Sequence, residues 1–263
     1  MKLMKTTTQS IDIFGDSFSC SCCKFNNDDT WLDILEKKYK FNLNNTSLHG
    51  TGAQWCIEKF MGLTEYSDYL LFCLPDMNRL SLDYIKSHQT SEASLIYSIM
   101  EDLKSFDFPD TISSDVKNVS DRVYRDYNSF YTTGLSKILE ILFVSFIFTK
   151  HVKYKKILIW PSSGSGYPFR NYNFTLEIPE NVHIVSRCIN FISYFETKNT
   201  DVNKIFDENE KNDGGKVFFG KDRRNNHLSY ENHKIMSKQI YNYFTKNKNP
   251  EISEFKREIY EMQ

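Results

Sequence analysis

Glycine and proline are scarce in this chain, 10 and 6 among 263 residues, and alanine is sparse as well. No Pro/Gly-rich linker divides the sequence and no internal repeat is evident. Residues 1–263 therefore read as one domain. An excess of charge of either sign is also missing. The 33 Lys and Arg balance 34 Asp and Glu to a net charge of -1, without a basic stripe, so a nucleic-acid partner is not expected. Long apolar runs are lacking too. The longest, ILEILFVSFIF at 138–148, contains Glu140 and Ser145 and is too short to span a bilayer, so it reads as a buried helix. The opening MKLMKTTTQSIDIF is basic but has no long apolar segment behind it. Neither a secretory signal nor a transmembrane segment is expected, which favours a cytoplasmic or virion-associated protein. The six cysteines offer no second CxxC pair, and no His/Asp/Glu cluster has ligand spacing. Neither a metal nor another cofactor is expected, and the thiols are read as reduced and unpaired.

What is present is ordinary globular material, 40% hydrophobic and 25% charged. Asn, Lys, Ile, Phe and Tyr are abundant, a bias of low-GC coding sequences. Strand-like and helix-like segments alternate. Residues 11–14, YLLFCL at 69–74, KILIW at 156–160, VHIVS at 182–186 and KVFFG at 216–220 read as strands. Between them, DDTWLDILEKKY places Trp31, Leu32, Leu35 and Tyr39 on one helical face behind a Thr30 N-cap. Helical spacing also runs over 94–106 and 131–149. A last helix starts at Tyr230 behind Ser229, with Met236, Ile240, Tyr243 and Phe244 on one face. This alternation predicts an α/β fold with a parallel sheet covered on both faces. Polar, weakly patterned insertions or long loops are expected at about 84–130 and 190–215. The ligand site of such a fold lies at the carboxyl ends of the strands.

That rule directs attention to SIDIFGDSFSC, residues 10–20, where the first strand stops at Gly15-Asp16-Ser17. Ser17 is either an ordinary turn serine or a hydroxyl held at the sheet rim for use. A serine needs a base within hydrogen-bond reach to act as a nucleophile. Of the six histidines, His227 has a distinctive setting in RRNNHLSYENH, just before the final helix. His233, one turn into that helix, reads as a surface or packing residue. Asp16 reads as a cap for the backbone of the serine turn rather than a proton carrier. Cys20, Cys22 and Cys23 read as small apolar residues that begin the first helix.

Taken together, FGDSF near one end and NHLS before the last helix resemble the SGNH, or GDSL-type, hydrolases. The resemblance extends over almost the whole chain. NNTSLHGTGAQW at 44–55 resembles the second block of that family, with Asn45 and Gly50 in its Asn and Gly positions. YLLFCLPDMNRL at 69–80 takes the place of the third block. The resemblance implies a flavodoxin-like three-layer α/β/α sandwich and a serine esterase acting on an acyl ester, by analogy an O-acetylated carbohydrate, without a cofactor. Ser17 would be the nucleophile and His227 the general base. The Ser17 N–H, the Gly50 N–H and an Asn side chain would form the oxyanion hole, whose donors contribute about 3 to 4 kcal/mol each.

Two departures keep alternatives open. The family's acid sits three residues before its histidine, and that position holds Arg224. Asp222 is the nearest acid; without it a backbone carbonyl would orient the ring of a Ser–His dyad. The third block lacks its Gly-x-Asn-Asp, leaving Asn78 as the amide, with Asp76 nearer the expected place but wrongly charged for a donor. Two other functions remain: an acyltransferase delivering the acyl group to a sugar hydroxyl, and a non-catalytic binding or virion-associated module on the same fold.

Overall fold

Alternate residues of the first strand point to opposite faces and are buried on both, the pattern of a central strand in a parallel sheet. In β1 (Ser10–Phe14), Ile11 and Ile13 enter one apolar cluster and Phe14 the other. The computed structural model describes residues 8–21, 24, 26–75, 146–147, 149–162, 178–186, 188–195 and 225–256. Within them, β1 is followed by α1 (Trp31–Lys37), β2 (Asn42–Asn45), α2 (Ala53–Met61) and β3 (Tyr69–Phe72). Then come β4 (Lys156–Ile159), β5 (Val182–Ile184), α3 (Ile189–Phe195) and α4 (Tyr230–Lys246). The five strands are parallel in the order β2-β1-β3-β4-β5. The order reverses beside β1, which makes the carboxyl end of β1 the switch point of the sheet.

Helices cover both faces. On one, Trp31, Leu32 and Leu35 of α1 pack with Met236, Ile240, Tyr243 and Phe244 of α4 against Ile11, Ile13 and Leu71. On the other, Ala53, Cys56, Ile57 and Phe60 of α2 pack against Phe14, Leu70, Phe72 and Ile159. The α1 start follows the expected cap. Thr30 Oγ1 accepts from the Asp33 N–H at 3.4 Å, and the Asp33 carboxylate accepts from the Thr30 N–H at 2.8 Å. Ser229 caps α4 as expected, accepting from the Asn232 N–H at 3.3 Å. At its other end α4 stops at Asn247 in the left-handed region, φ 55°. There Lys156 of β4 donates to the carbonyls of Tyr243 and Phe244 at 2.7 and 2.8 Å. A cation is favourable at that pole of the helix, and burial lowers the Lys156 pKa.

The parallel sheet and its helical cover match expectation, with three differences. β2 lies in a stretch with no strand pattern, α2 was not anticipated, and α3 occupies the start of the region read as loop from 190. Residues 146–147 and 149–150 are helical, as the 131–149 pattern predicts. The segments 84–130 and 94–106, most of 190–215, and the strand expected at 216–220 lie outside the described residues. No helix among the described residues is long and apolar enough to cross a membrane.

One buried carboxylate interrupts the apolar core. Asp12 Oδ1 accepts from Ser67 Oγ at 2.7 Å and Asn44 Nδ2 at 3.2 Å; Oδ2 accepts from the Ser67 N–H and the Tyr154 hydroxyl, both at 3.0 Å. Four donors satisfy both oxygens, the condition under which a carboxylate is tolerated inside a protein. Burial, and then the Asp12 charge, push the Tyr154 hydroxyl pKa upward.

Candidate active site

The turn after β1 is held from every side but one. The Gly15 carbonyl accepts from the Leu48 N–H at 3.1 Å and from Thr51 Oγ1 at 3.3 Å, fastening the 46–51 loop to it. Gly15 is required by space. A Cβ there would lie 2.2 Å from Ser19 Oγ and 2.7 Å from both the Cβ and the carbonyl oxygen of Cys73. Asp16 is fully buried. Its Oδ1 accepts from the Phe18 N–H at 3.2 Å, its Oδ2 from Ser162 Oγ at 2.9 Å, and its carbonyl from the Ser19 N–H at 3.0 Å. The side chain thus closes the turn and ties it to the end of β4, the supporting role expected of it. Asn45 Nδ2 adds a bond to the Ser19 carbonyl at 2.8 Å. Of residues 15–19, Ser17 alone is not buried.

The 46–51 loop brings Gly50 to this end of the sheet. Gly50 is buried with φ 74°, a conformation glycine adopts without penalty. Among the described residues, no acceptor pairs with the backbone N–H of Ser17 or of Gly50. His49, half-buried, precedes it. Trp55 is partly buried at the edge of the second cluster, with the Lys59 ammonium 5.6 Å from its ring centre.

His227 reaches the same place from far along the chain. It lies in a 3₁₀ turn, Asn225–His227, and its ring is 4.9 Å from that of Phe18, the residue after Ser17. Asn226 and His227 both have left-handed backbones, φ 48° and 60°. Such residues cost on the order of 1–3 kcal/mol each and persist where the surroundings over-determine them. The surroundings here are explicit. Asn225 Nδ2 donates to Asn26 Oδ1 at 2.7 Å and to the Asp28 carbonyl at 2.9 Å. Asn226 Nδ2 donates to the Cys20 carbonyl at 3.0 Å, while its buried Oδ1 has no partner among the described residues. His233 accepts at Nδ1 from the Trp31 N–H at 3.2 Å, and its Nε2 lies 2.7 Å from the Asn225 carbonyl. The Trp31 indole N–H donates to the Phe18 carbonyl at 3.0 Å.

The structure therefore brings Ser17, Gly50 and His227 to the carboxyl end of β1, while Asp222 and Asn78 lie outside the described residues. His233 is a buried packing residue, and Trp31, read only as core, also links the serine turn to the histidine loop. No pattern in the sequence signals that link. The thiols differ from expectation in one case. Cys20 is disulfide-bonded, whereas Cys56, Cys73 and Cys188 form no disulfide. Burial, reinforced by the Asp16 charge, raises the Cys73 pKa far enough to keep this thiol protonated and inert. Compared with family models, with curated proteins and with solved structures, the chain matches none.

Proposed function

We propose that this chain is a serine esterase of the SGNH or GDSL type, hydrolysing an acyl ester through a Ser17 acyl-enzyme. The observation that carries the reading is the placement of Ser17. It is the one partly exposed residue of an otherwise buried turn, at the switch point of a parallel sheet, with the His227 ring against its neighbour Phe18. The strand order and the helices on both faces are consistent with the three-layer sandwich of that family.

In this mechanism Ser17 Oγ attacks the acyl carbon while His227 takes the hydroxyl proton. The carbonyl oxygen becomes an oxyanion, for which the N–H groups of Ser17 and Gly50, without an acceptor among the described residues, are donors. Collapse breaks the ester bond, and His227 returns the proton to the departing alcohol. Water, deprotonated by His227, then attacks the acyl-enzyme and releases the acid. Asp222 is assigned to orient the His227 ring, or a backbone carbonyl does so in a dyad. Asn78 is assigned as the third oxyanion donor. The proposed substrate is an O-acetylated carbohydrate, on family analogy alone.

Intact-mass analysis after incubation with a fluorophosphonate tests the proposal. A single adduct is expected on the wild type and none on Ser17→Ala or His227→Ala. An adduct would leave hydrolysis and acyl transfer to be separated by product analysis with and without a sugar acceptor. A folded wild type that takes no adduct would sink the enzyme reading in favour of a binding module.

A further inference from the structure

We infer that His233 is a positioning residue, whose imidazole holds the loop bearing His227 by bridging that loop to the first turn of α1. The inference rests on reading His227 as the base of Ser17, although its geometry is independent of that reading. The His233 side chain is buried, with both ring nitrogens engaged by backbone. Trp31 opens α1, so its N–H has no acceptor within the helix. That N–H is fixed as a donor, so Nδ1 must be the acceptor and the proton of the neutral ring must sit on Nε2. Nε2 then donates to the Asn225 carbonyl, two residues before His227.

The bridge closes a ring of contacts. Phe18 meets His227 ring to ring, the Phe18 carbonyl is held by the Trp31 indole, the Trp31 N–H is held by His233, and His233 holds the Asn225 carbonyl. The serine turn and the histidine loop are far apart in sequence, and the bridge fixes one relative to the other. Asn225 and Asn226 hold the same loop through their side chains, but both grip segments that follow the serine turn. His233 grips the loop from within α4.

The test compares wild type with His233→Gln, whose amide keeps one acceptor and one donor, and His233→Leu, which has neither. In protein labelled at Phe and His, the ring-to-ring NOE between Phe18 and His227 reads the position of the base without reference to activity. The Phe14–Phe60 pair, 5.7 Å apart on the opposite face of the sheet, reports whether the fold is intact. Expected are a Phe18–His227 NOE in wild type and His233→Gln, and its loss in His233→Leu with the Phe14–Phe60 NOE retained. Fluorophosphonate labelling should fall roughly 100-fold in His233→Leu, the scale of an ångström of misplacement, and stay near wild type in His233→Gln. Retention of the Phe18–His227 NOE in folded His233→Leu overturns the inference, and so does equal loss in both variants. Should His233→Leu fail to fold, the wild-type long-range ¹H–¹⁵N spectrum decides. Unprotonated Nδ1 with protonated Nε2 supports the bridge, and any other state of the ring overturns it. A wild type that shows the NOE but takes no label refutes the esterase reading and leaves the positioning role standing.

Discussion

Replacing Asp16 by Asn separates a clamp from a catalytic acid. In the native turn Oδ1 accepts from the Phe18 N–H and Oδ2 from the Ser162 hydroxyl. An asparagine can turn its oxygen to Phe18 and its amide nitrogen to Ser162. Ser162 Oγ already lies 3.3 Å from the Leu74 carbonyl, so it can donate there and accept from the new amide. Both contacts survive as neutral hydrogen bonds, at a loss of about 1 kcal/mol relative to charge-assisted ones. Asp16→Ala is different. Ser162 retains Leu74, but the buried Phe18 N–H is stranded, which costs about 1–3 kcal/mol. Urea unfolding should therefore rank wild type above Asn and Asn above Ala. The rate of fluorophosphonate labelling should be nearly unchanged in the Asn variant, because the turn keeps its shape. A stable Asp16→Asn protein whose labelling falls roughly 10³-fold or more, the scale on which a triad acid acts, would refute the clamp. An Asp16→Ala protein as stable as wild type would refute the hydrogen-bond reasoning itself.

Gly15→Ala should destabilise by about 1–3 kcal/mol or more, since two of the three atoms nearest the new methyl belong to Cys73, one of them backbone; urea unfolding measures this, and labelling should fall with it. Asp12→Ala strands the buried Ser67 N–H and Tyr154 hydroxyl, for a loss of about 2–6 kcal/mol in urea unfolding, without change in labelling per folded molecule. Asp33 gives a pH dependence. Burial raises its pKa, but hydrogen bonds from Lys24 and Thr30 outweigh this and hold it below the ordinary value. A lowered folded pKa contributes stability above the unfolded value of about 3.9 and loses it as the pH falls through the folded one. Wild type should therefore exceed Asp33→Asn in stability at neutral pH, and the difference should vanish on acidification below about pH 4.

The sequence was most legible where side chain and backbone carry one message. Thr30 and Ser229 announced their helices because a capping hydroxyl acts within its own turn. β1 and β3 showed as apolar runs because both faces of those strands are buried. β2 did not, since Asn42, Asn44 and Asn45 are poor strand formers. Two of these side chains serve neighbours instead, Asn44 at Asp12 and Asn45 at the Ser19 carbonyl. Helix α2 begins at Gly52 with no side-chain cap and so gave no start signal. Ser17, Gly50 and His227 were legible as motif positions. The partners that hold them were not, because His233 meeting Trp31 is a fact of how α4 crosses α1, which no local pattern records. Asp12 was hidden by the apolar strand around it, its donors being drawn from three other segments.

The docking of α4 on α1 has a consequence for biosynthesis. The ribosome makes Ser17 long before His227, with the other four described strands, β2 to β5, completed in between. Only when the last helix has been made and has settled against α1 does the loop with its two left-handed residues acquire the contacts that shape it. On the esterase reading, a nascent chain or one cut short before residue 225 would carry a serine no more reactive than any other. Ser17 would gain its base only once α4 has been made and docked.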